Sequence, residues 1–181
     1  MIQTTTPTNA TRERTRVTIR PIEAVDASGL SDFYAALSPE SRARRFLGAS
    51  RGISQDMAAR FAGADHITDD GFVAVVREQG PRDGQIVGHA TLTSDGARAP
   101  EIAFAVADAW QRQGIGTALL REVIGAAERR GIPRLNAVLL ADNVAMRRLL
   151  AKAGWASRVT GLDGPTMEVE VERMTGGGSR R

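Results

Sequence analysis

The segment Gln111-Arg112-Gln113-Gly114-Ile115-Gly116 puts two glycines two apart, after a strand-like run and before a run with helical apolar spacing. Glycines there let the backbone turn sharply and leave N–H groups pointing outward. The dipole of the following helix reinforces them, so the chemistry on offer is anion binding, with a pyrophosphate as the natural ligand. The plain alternative is a turn that only starts a helix. Upstream, Glu101 opens the otherwise apolar run Glu101-Ile102-Ala103-Phe104-Ala105-Val106. Strand alternation places Glu101, Ala103 and Ala105 on one face. A carboxylate beside apolar walls has its pKa raised and becomes a proton acceptor near neutral pH; the alternative is a strand-end glutamate in solvent.

Spacing narrows what the glycine segment can be. A P-loop needs a lysine before Thr117, and none is there. A dinucleotide-binding turn needs a third glycine where Leu119 stands and an acidic residue further on, where Asn136 lies closest. The chain has no cysteine, which excludes disulfides, thiolate metal sites and a cysteine nucleophile, and two histidines, His66 and His89, do not make a metal site; none is expected. The formal charge is only +3 with 4% aromatic residues, and the bases are scattered, so no nucleic-acid partner is expected. No run approaches the roughly 18 to 20 apolar residues that span a bilayer, so no membrane association is expected and a cytoplasmic location is the default.

These residues need elements to position them. At 181 residues and 42% apolar, the chain is expected to form one α/β domain over 15–174, with disordered tails at 1–14 and 175–181. Alternation suggests a strand at 17–21. Helices are expected over 26–37, over 39–46 with Ser38 as N-cap and Pro39 at the first position, and over 54–61. Strands follow at 72–77, 85–93 and 101–106, separated by Gly, Pro and Asp turns that imply an antiparallel meander. A helix from Gly114 carries Leu119, Leu120, Val123, Ile124 and Ala127 on one stripe and stops at Gly131 and Pro133. A buried strand at 135–140, a helix at 143–153 ended by Gly154, and strands at 156–160 and 167–171 complete a mixed sheet flanked by helices. His89 reads as a packed core residue, and Asp108 and Asp142 as structural.

Gln/Arg-x-x-Gly-x-Gly/Ala, filled by Gln111 to Gly116, resembles the loop of the GNAT N-acetyltransferases, as does the order of elements over most of the domain. Asn143-x-x-Met146-x-x-Leu149-Leu150-x-x-x-Gly154-Trp155 is similar to that family's asparagine-started helix. The resemblance implies an α+β domain with a mixed, mainly antiparallel sheet of about seven strands. It implies acetyl-CoA as co-substrate, its pyrophosphate held by Gln111, Arg112, Gln113, Gly114, Ile115, Gly116 and Thr117. The pantetheine arm would lie along Phe104, Ala105 and Val106, and Asn143 would add a contact beside its role as N-cap. Leu150 stands where many relatives carry a tyrosine that protonates the departing thiolate, so that proton must come from another group or from water.

Amide formation needs the neutral amine, and a free lysine with a pKa of about 10.4 is neutral in only roughly one molecule in a few thousand at pH 7. Glu101 is the expected general base, direct or through a water, with the oxyanion held by backbone N–H near Val106. The run Leu37-Ser38-Pro39-Glu40-Ser41, followed by Arg45-Phe46, resembles bacterial protein-lysine acetyltransferases of the Pat type, which also carry the glutamate strand and the leucine. That subfamily acts on a lysine of acyl-CoA synthetases, often under a regulatory domain that has no room in this chain. The expected acceptor is therefore a protein lysine, with a small amine as the alternative and a non-catalytic CoA-binding sensor as a reading of another class. Arg42, Arg44 and Arg45 read first as a solvated helix face with salt bridges, and second as contacts to an acidic protein surface.

Overall fold

Seven strands form one sheet in the order β1-β2-β3-β4-β5-β7-β6. In chain order they are β1 (Arg16–Pro21), β2 (Asp70–Arg77), β3 (Ile86–Thr93), β4 (Glu101–Val106), β5 (Arg134–Leu140), β6 (Ala156–Asp163) and β7 (Thr166–Glu172), with helices α1 (Ala27–Ala36), α2 (Pro39–Phe46), α3 (Gln55–Ala62), α4 (Ile115–Arg129) and α5 (Val144–Leu150). This computed structural model describes residues 16–94, 96, 98–152 and 154–174. The expected tails, 1–14 and 175–181, lie outside the described residues. Every neighbouring pair of strands is antiparallel except β4 and β5. Among the described residues no helix is long and apolar enough to cross a membrane.

Two apolar layers sandwich the sheet. On its back, α4 buries Leu119, Leu120, Val123, Ile124 and Ala127 in one cluster with Phe72, Ala74, Ala90, Leu92, Ile102, Leu135, Ala137 and Leu139. The stripe of apolar positions along α4 therefore faces inward, as its helical spacing requires. Gly88 sets how near α4 sits to β3, because a Cβ there would lie 3.1 Å from Leu119 and Ala74. On the front, Leu30, Phe33, Tyr34 and Leu37 from α1 and its C-cap pack with Ala62, Val73, Val75, Ile86 and Ala105.

Three local expectations change. β5 alternates buried Leu135, Ala137 and Leu139 with half-buried Asn136, Val138 and Leu140, because only its back is covered by α4. The helix after Asn143 ends at Leu150, short of Ala153, and β6 and β7 pair further along the chain than expected, through Asp163 and Thr166. Over β7 the front is uncovered: buried Met167, Val169 and Val171 alternate with Glu168, Glu170 and Glu172.

His89 is fully buried on the front face, its Nδ1 2.9 Å from the Tyr34 hydroxyl. Burial, aided by the nearby Arg45 charge, pushes its pKa from 6.5 down to about 3. The unfolded chain takes up this proton as pH falls below 6.5 while the folded chain refuses it until about 3, so this group removes stability progressively across that window. Chemical denaturation of His89→Gln between pH 7 and 4 is expected to show a shallower acid decline than the parent. An unchanged slope would contradict this assignment.

Candidate active site

The site begins where β4 and β5 stop pairing. Their parallel ladder has a single register pair, Glu101 with Asn136, supported by the Asn136 N–H donating to the Pro100 carbonyl at 2.8 Å. Beyond it the strands diverge. The Ala107 N–H donates to the Val87 carbonyl across the β3 side. Antiparallel alternation then gives the Ala105 and Ala103 amides to β3 and turns those of Phe104 and Val106 toward the divergence. A cavity of about 440 Å³ fills the gap, lined by Ile102, Ala103, Phe104, Ala105 and Val106 from β4 and by Val138 and Leu139 from β5.

The glycine loop closes one end. Gly114 sits at φ +88 as the N-cap of α4, and no side chain caps that helix. The first-turn amides of α4 consequently have no intrahelical acceptor and face outward as anion donors. A Cβ on Gly114 would meet nothing within 4 Å, whereas one on Gly116 would lie 3.6 Å from Leu149 and 4.0 Å from Val106, inside the cleft. Arg112, at φ +60, is a non-glycine residue in the left-handed region, a conformation that the loop must hold in place.

Gln111, Arg112, Gly114, Gly116, Thr117 and Asn143 line the cavity with Phe104, Ala105 and Val106, while Gln113 and Ile115 do not. Gln113 turns its amide to the Ala109 carbonyl at 2.9 Å, and Ile115, the first residue of α4, is buried in the core against the sheet. Asn143 caps α5 by accepting from the Met146 N–H at 3.1 Å, which leaves its amide NH2 for a ligand. Leu150 is fully buried in the back cluster, so its position offers the cavity nothing.

Sequence reasoning missed Ala145, Arg148, Leu149 and Lys152, which also line the cavity. Their spacing of three, four and seven marks one helix face, a signal present in the sequence. Met146 of α5 and Ser41, Arg44 and Arg45 of α2 complete the lining, and no acidic residue among the described residues belongs to it. Among the described residues, no group of three His, Cys, Asp or Glu side chains could hold a metal.

The N-terminus of α2 is tied to the segment before the loop. Asp108 accepts from the Ser38 N–H at 2.9 Å, from the Ser38 hydroxyl at 2.8 Å and from the Ser41 hydroxyl at 2.7 Å. Partial burial works against its charge, but the bonds from Ser38 and Ser41 outweigh it and hold the carboxyl below its usual range. Gln111 Nε2 donates to both Ser41 Oγ and the Val106 carbonyl at 3.1 Å. This places α2 over the front of the cleft.

Glu101 is exposed and lies outside the cavity lining. The apolar walls expected around it are not there: its cross-strand neighbours are the polar Thr93 on β3 and Asn136 on β5. Glu101 stands at the pair where the cleft begins, not within its lining.

Residues 16–156 match the family model described as Acetyltransferase (GNAT) domain. This chain is a GNAT acetyltransferase. As such, it transfers an acetyl group from acetyl-CoA. Acetyltransferase PA5475 of Pseudomonas aeruginosa is 32% identical to this GNAT chain over 143 residues, 78% of the chain and 76% of that protein. Acetyltransferase Pat of Mycolicibacterium smegmatis is 37% identical over 87 residues, 47% of this chain but only 26% of that protein's length. The GNAT domain of S. lividans PAT has the same fold, with a TM-score of 0.74 at 24% identity, covering 91% of this chain and 99% of that one.

In this GNAT fold the Asp108 anchor gives a direct test. Asp108→Ala is expected to raise hydrogen exchange across α2 while α4, which does not depend on the anchor, keeps its protection. Equal protection of α2 in parent and variant would show that packing alone holds it.

Proposed function

We propose that this chain acetylates a lysine side chain on a protein surface by direct transfer. The observation that carries this is the position of Glu101, exposed on the sheet front at the β4–β5 pair where the cleft begins, two strands from the solvent-facing carboxylates of β7. A protein surface can lie there and extend one lysine inward. The likeness of the Leu37 to Phe46 segment to Pat-type enzymes, and the partial match to Acetyltransferase Pat, support the same reading. An acyl-CoA synthetase is the class of acceptor that the resemblance implies, and a small amine is the alternative.

In this mechanism the donor pyrophosphate lies on the amides of Gly114, Ile115, Gly116 and Thr117. Gln111, Arg112 and Gln113 shape the loop, and Arg112, Arg148 and Lys152 supply positive charge around the phosphates. The pantetheine arm runs along Phe104, Ala105 and Val106, with Asn143 on its other side. The fit rests on features of the chain itself: an uncapped helix start, a lining without carboxylates, and unpaired β4 amides. The Phe104 and Val106 N–H groups would hold the carbonyl oxygen as it gains negative charge.

Glu101, directly or through one water, takes the proton from the incoming ammonium. The amine nitrogen bonds to the thioester carbon, the C–S bond breaks, the nitrogen releases its extra proton to solvent as the amide forms, and the thiolate takes a proton from solvent, since Leu150 has none to give. Without a cysteine in the chain, no acetyl-thiol enzyme intermediate enters.

Glu101→Gln is expected to lower kcat by about 10²- to 10⁴-fold, as loss of a positioned general base does, with acetyl-CoA affinity within about twofold of the parent because the side chain lies outside the cavity. Steady-state transfer to lysine-bearing proteins, read by mass spectrometry, checks it. Parent-rate transfer by the variant would remove Glu101 from the mechanism. Rapid acetylation of small amines with no protein labelling would overturn the protein acceptor.

A second substitution tests the donor end. Gly114→Ala forces a side chain into the left-handed region, at about 1 kcal/mol or more, and it projects into space this reading gives to the donor. Calorimetric titration is expected to show acetyl-CoA binding weakened by about tenfold; unchanged affinity would move the pyrophosphate elsewhere.

A further inference from the structure

The three arginines of α2 differ in what they touch. Arg42 closes the end of α1 by donating to the carbonyls of Ala35, Leu37 and Ser50. Arg44 pairs with Glu40 at 2.7 Å, one helical turn back. Arg45 pairs with no carboxylate among the described residues, and its Nε is buried without a hydrogen-bond partner. Its guanidinium carbon lies 5.2 Å from the Phe46 ring centroid and 5.7 Å from that of Phe61, with Nη2 3.5 Å from the Thr91 hydroxyl. Arg45 also lines the cavity. A half-buried guanidinium fixed by two rings and a hydroxyl, but given no anion by the described residues, is a costly arrangement unless a ligand completes it.

Sheet register says which ligand. Thr91 pairs with Ala103 and Thr93 with Glu101, so Arg45 meets the sheet one step, about 7 Å, from Glu101 on the same face. The donor phosphates belong at the opposite end, on the α4 amides. What reaches Arg45 therefore belongs to the acceptor. A planar guanidinium matches a carboxylate through two parallel N–H bonds, which an ammonium does not.

We propose that Arg45 receives a carboxylate of the acceptor, placed within about 7 Å of the amine that is acetylated. This rests on the reading above that Glu101 marks the acceptor end of the cleft. The carboxylate is either an Asp or Glu side chain beside the target lysine or the α-carboxylate of a free amino acid. In both cases Arg45 determines specificity and orients the amine; it transfers no proton.

The test compares single-lysine peptides that differ only in Glu or Gln beside the lysine, together with free amino acids and their amides. Each is assayed with the parent, Arg45→Gln and Arg45→Lys, with thermal unfolding and acetyl-CoA affinity measured on every variant. The parent is expected to favour the carboxylate member by about tenfold or more in kcat/KM, mainly through KM. Arg45→Gln should abolish that preference and leave acetyl-CoA affinity unchanged, and Arg45→Lys should retain part of it. If Arg45→Gln does not fold, the parent's own preference decides. Peptides acetylated equally with Glu or Gln overturn the inference and leave the lysine reading standing. Free amino acids accepted while their amides and all peptides are refused would uphold the inference and overturn the lysine reading. Weaker acetyl-CoA binding by Arg45→Gln would assign Arg45 to the donor and overturn the inference.

Discussion

The structure depends on a failure of pairing. β4 and β5 share one register pair and then separate, so the backbone groups on their facing edges are not used up by a ladder. Buried N–H and C=O groups need partners, and a strand edge held open inside a sheet is a place for an extended ligand arm. The helix α4 packs behind this opening and α2 in front, with the glycine loop at one end and the paired Glu101 and Asn136 at the other. In the proposed reading, donor and acceptor approach this cleft from opposite ends.

Two polar clusters fix the walls of that line. Asp108 and Gln111 bind Ser38 and Ser41, which couples the position of α2 to the segment that carries the glycines. Tyr34 and His89 form a buried neutral pair beneath Arg45, whose charge helps keep His89 unprotonated. The front of the site is thereby built from residues that act on one another before any ligand arrives, a preorganised arrangement of the kind that makes charge stabilisation effective.

Local features of the chain were legible in its sequence. Ser38 and Pro39 start α2 at the expected residue, the Leu119 to Ala127 stripe faces inward, and Gly114 adopts the positive φ that its position demanded. Each of these is dictated by backbone sterics or helical spacing within a few residues. The surroundings of Glu101 were not legible, because they depend on which part of the sheet the helices cover, a matter of tertiary packing. Arg45 was hidden for a related reason: three arginines in one helix look alike until the positions of Ala35, Glu40 and Phe61 in space distinguish them. The common face of Ala145, Arg148, Leu149 and Lys152 follows from helical spacing, but that this face lines the cleft depends on how α5 packs beside β4 and α4, which spacing alone does not fix.

The central claim is that the opened edge of β4 and the start of α4 together form the donor seat. Titration of the isotopically labelled chain with acetyl-CoA, followed through backbone amide NMR signals, tests it most directly. The account predicts that the largest shifts fall on Phe104, Val106 and residues 114–117, with β1 and β6 nearly silent. Dominant shifts on α1 and α3, or on the exposed edge of β6, with Phe104 and Gly114 unmoved, would contradict it.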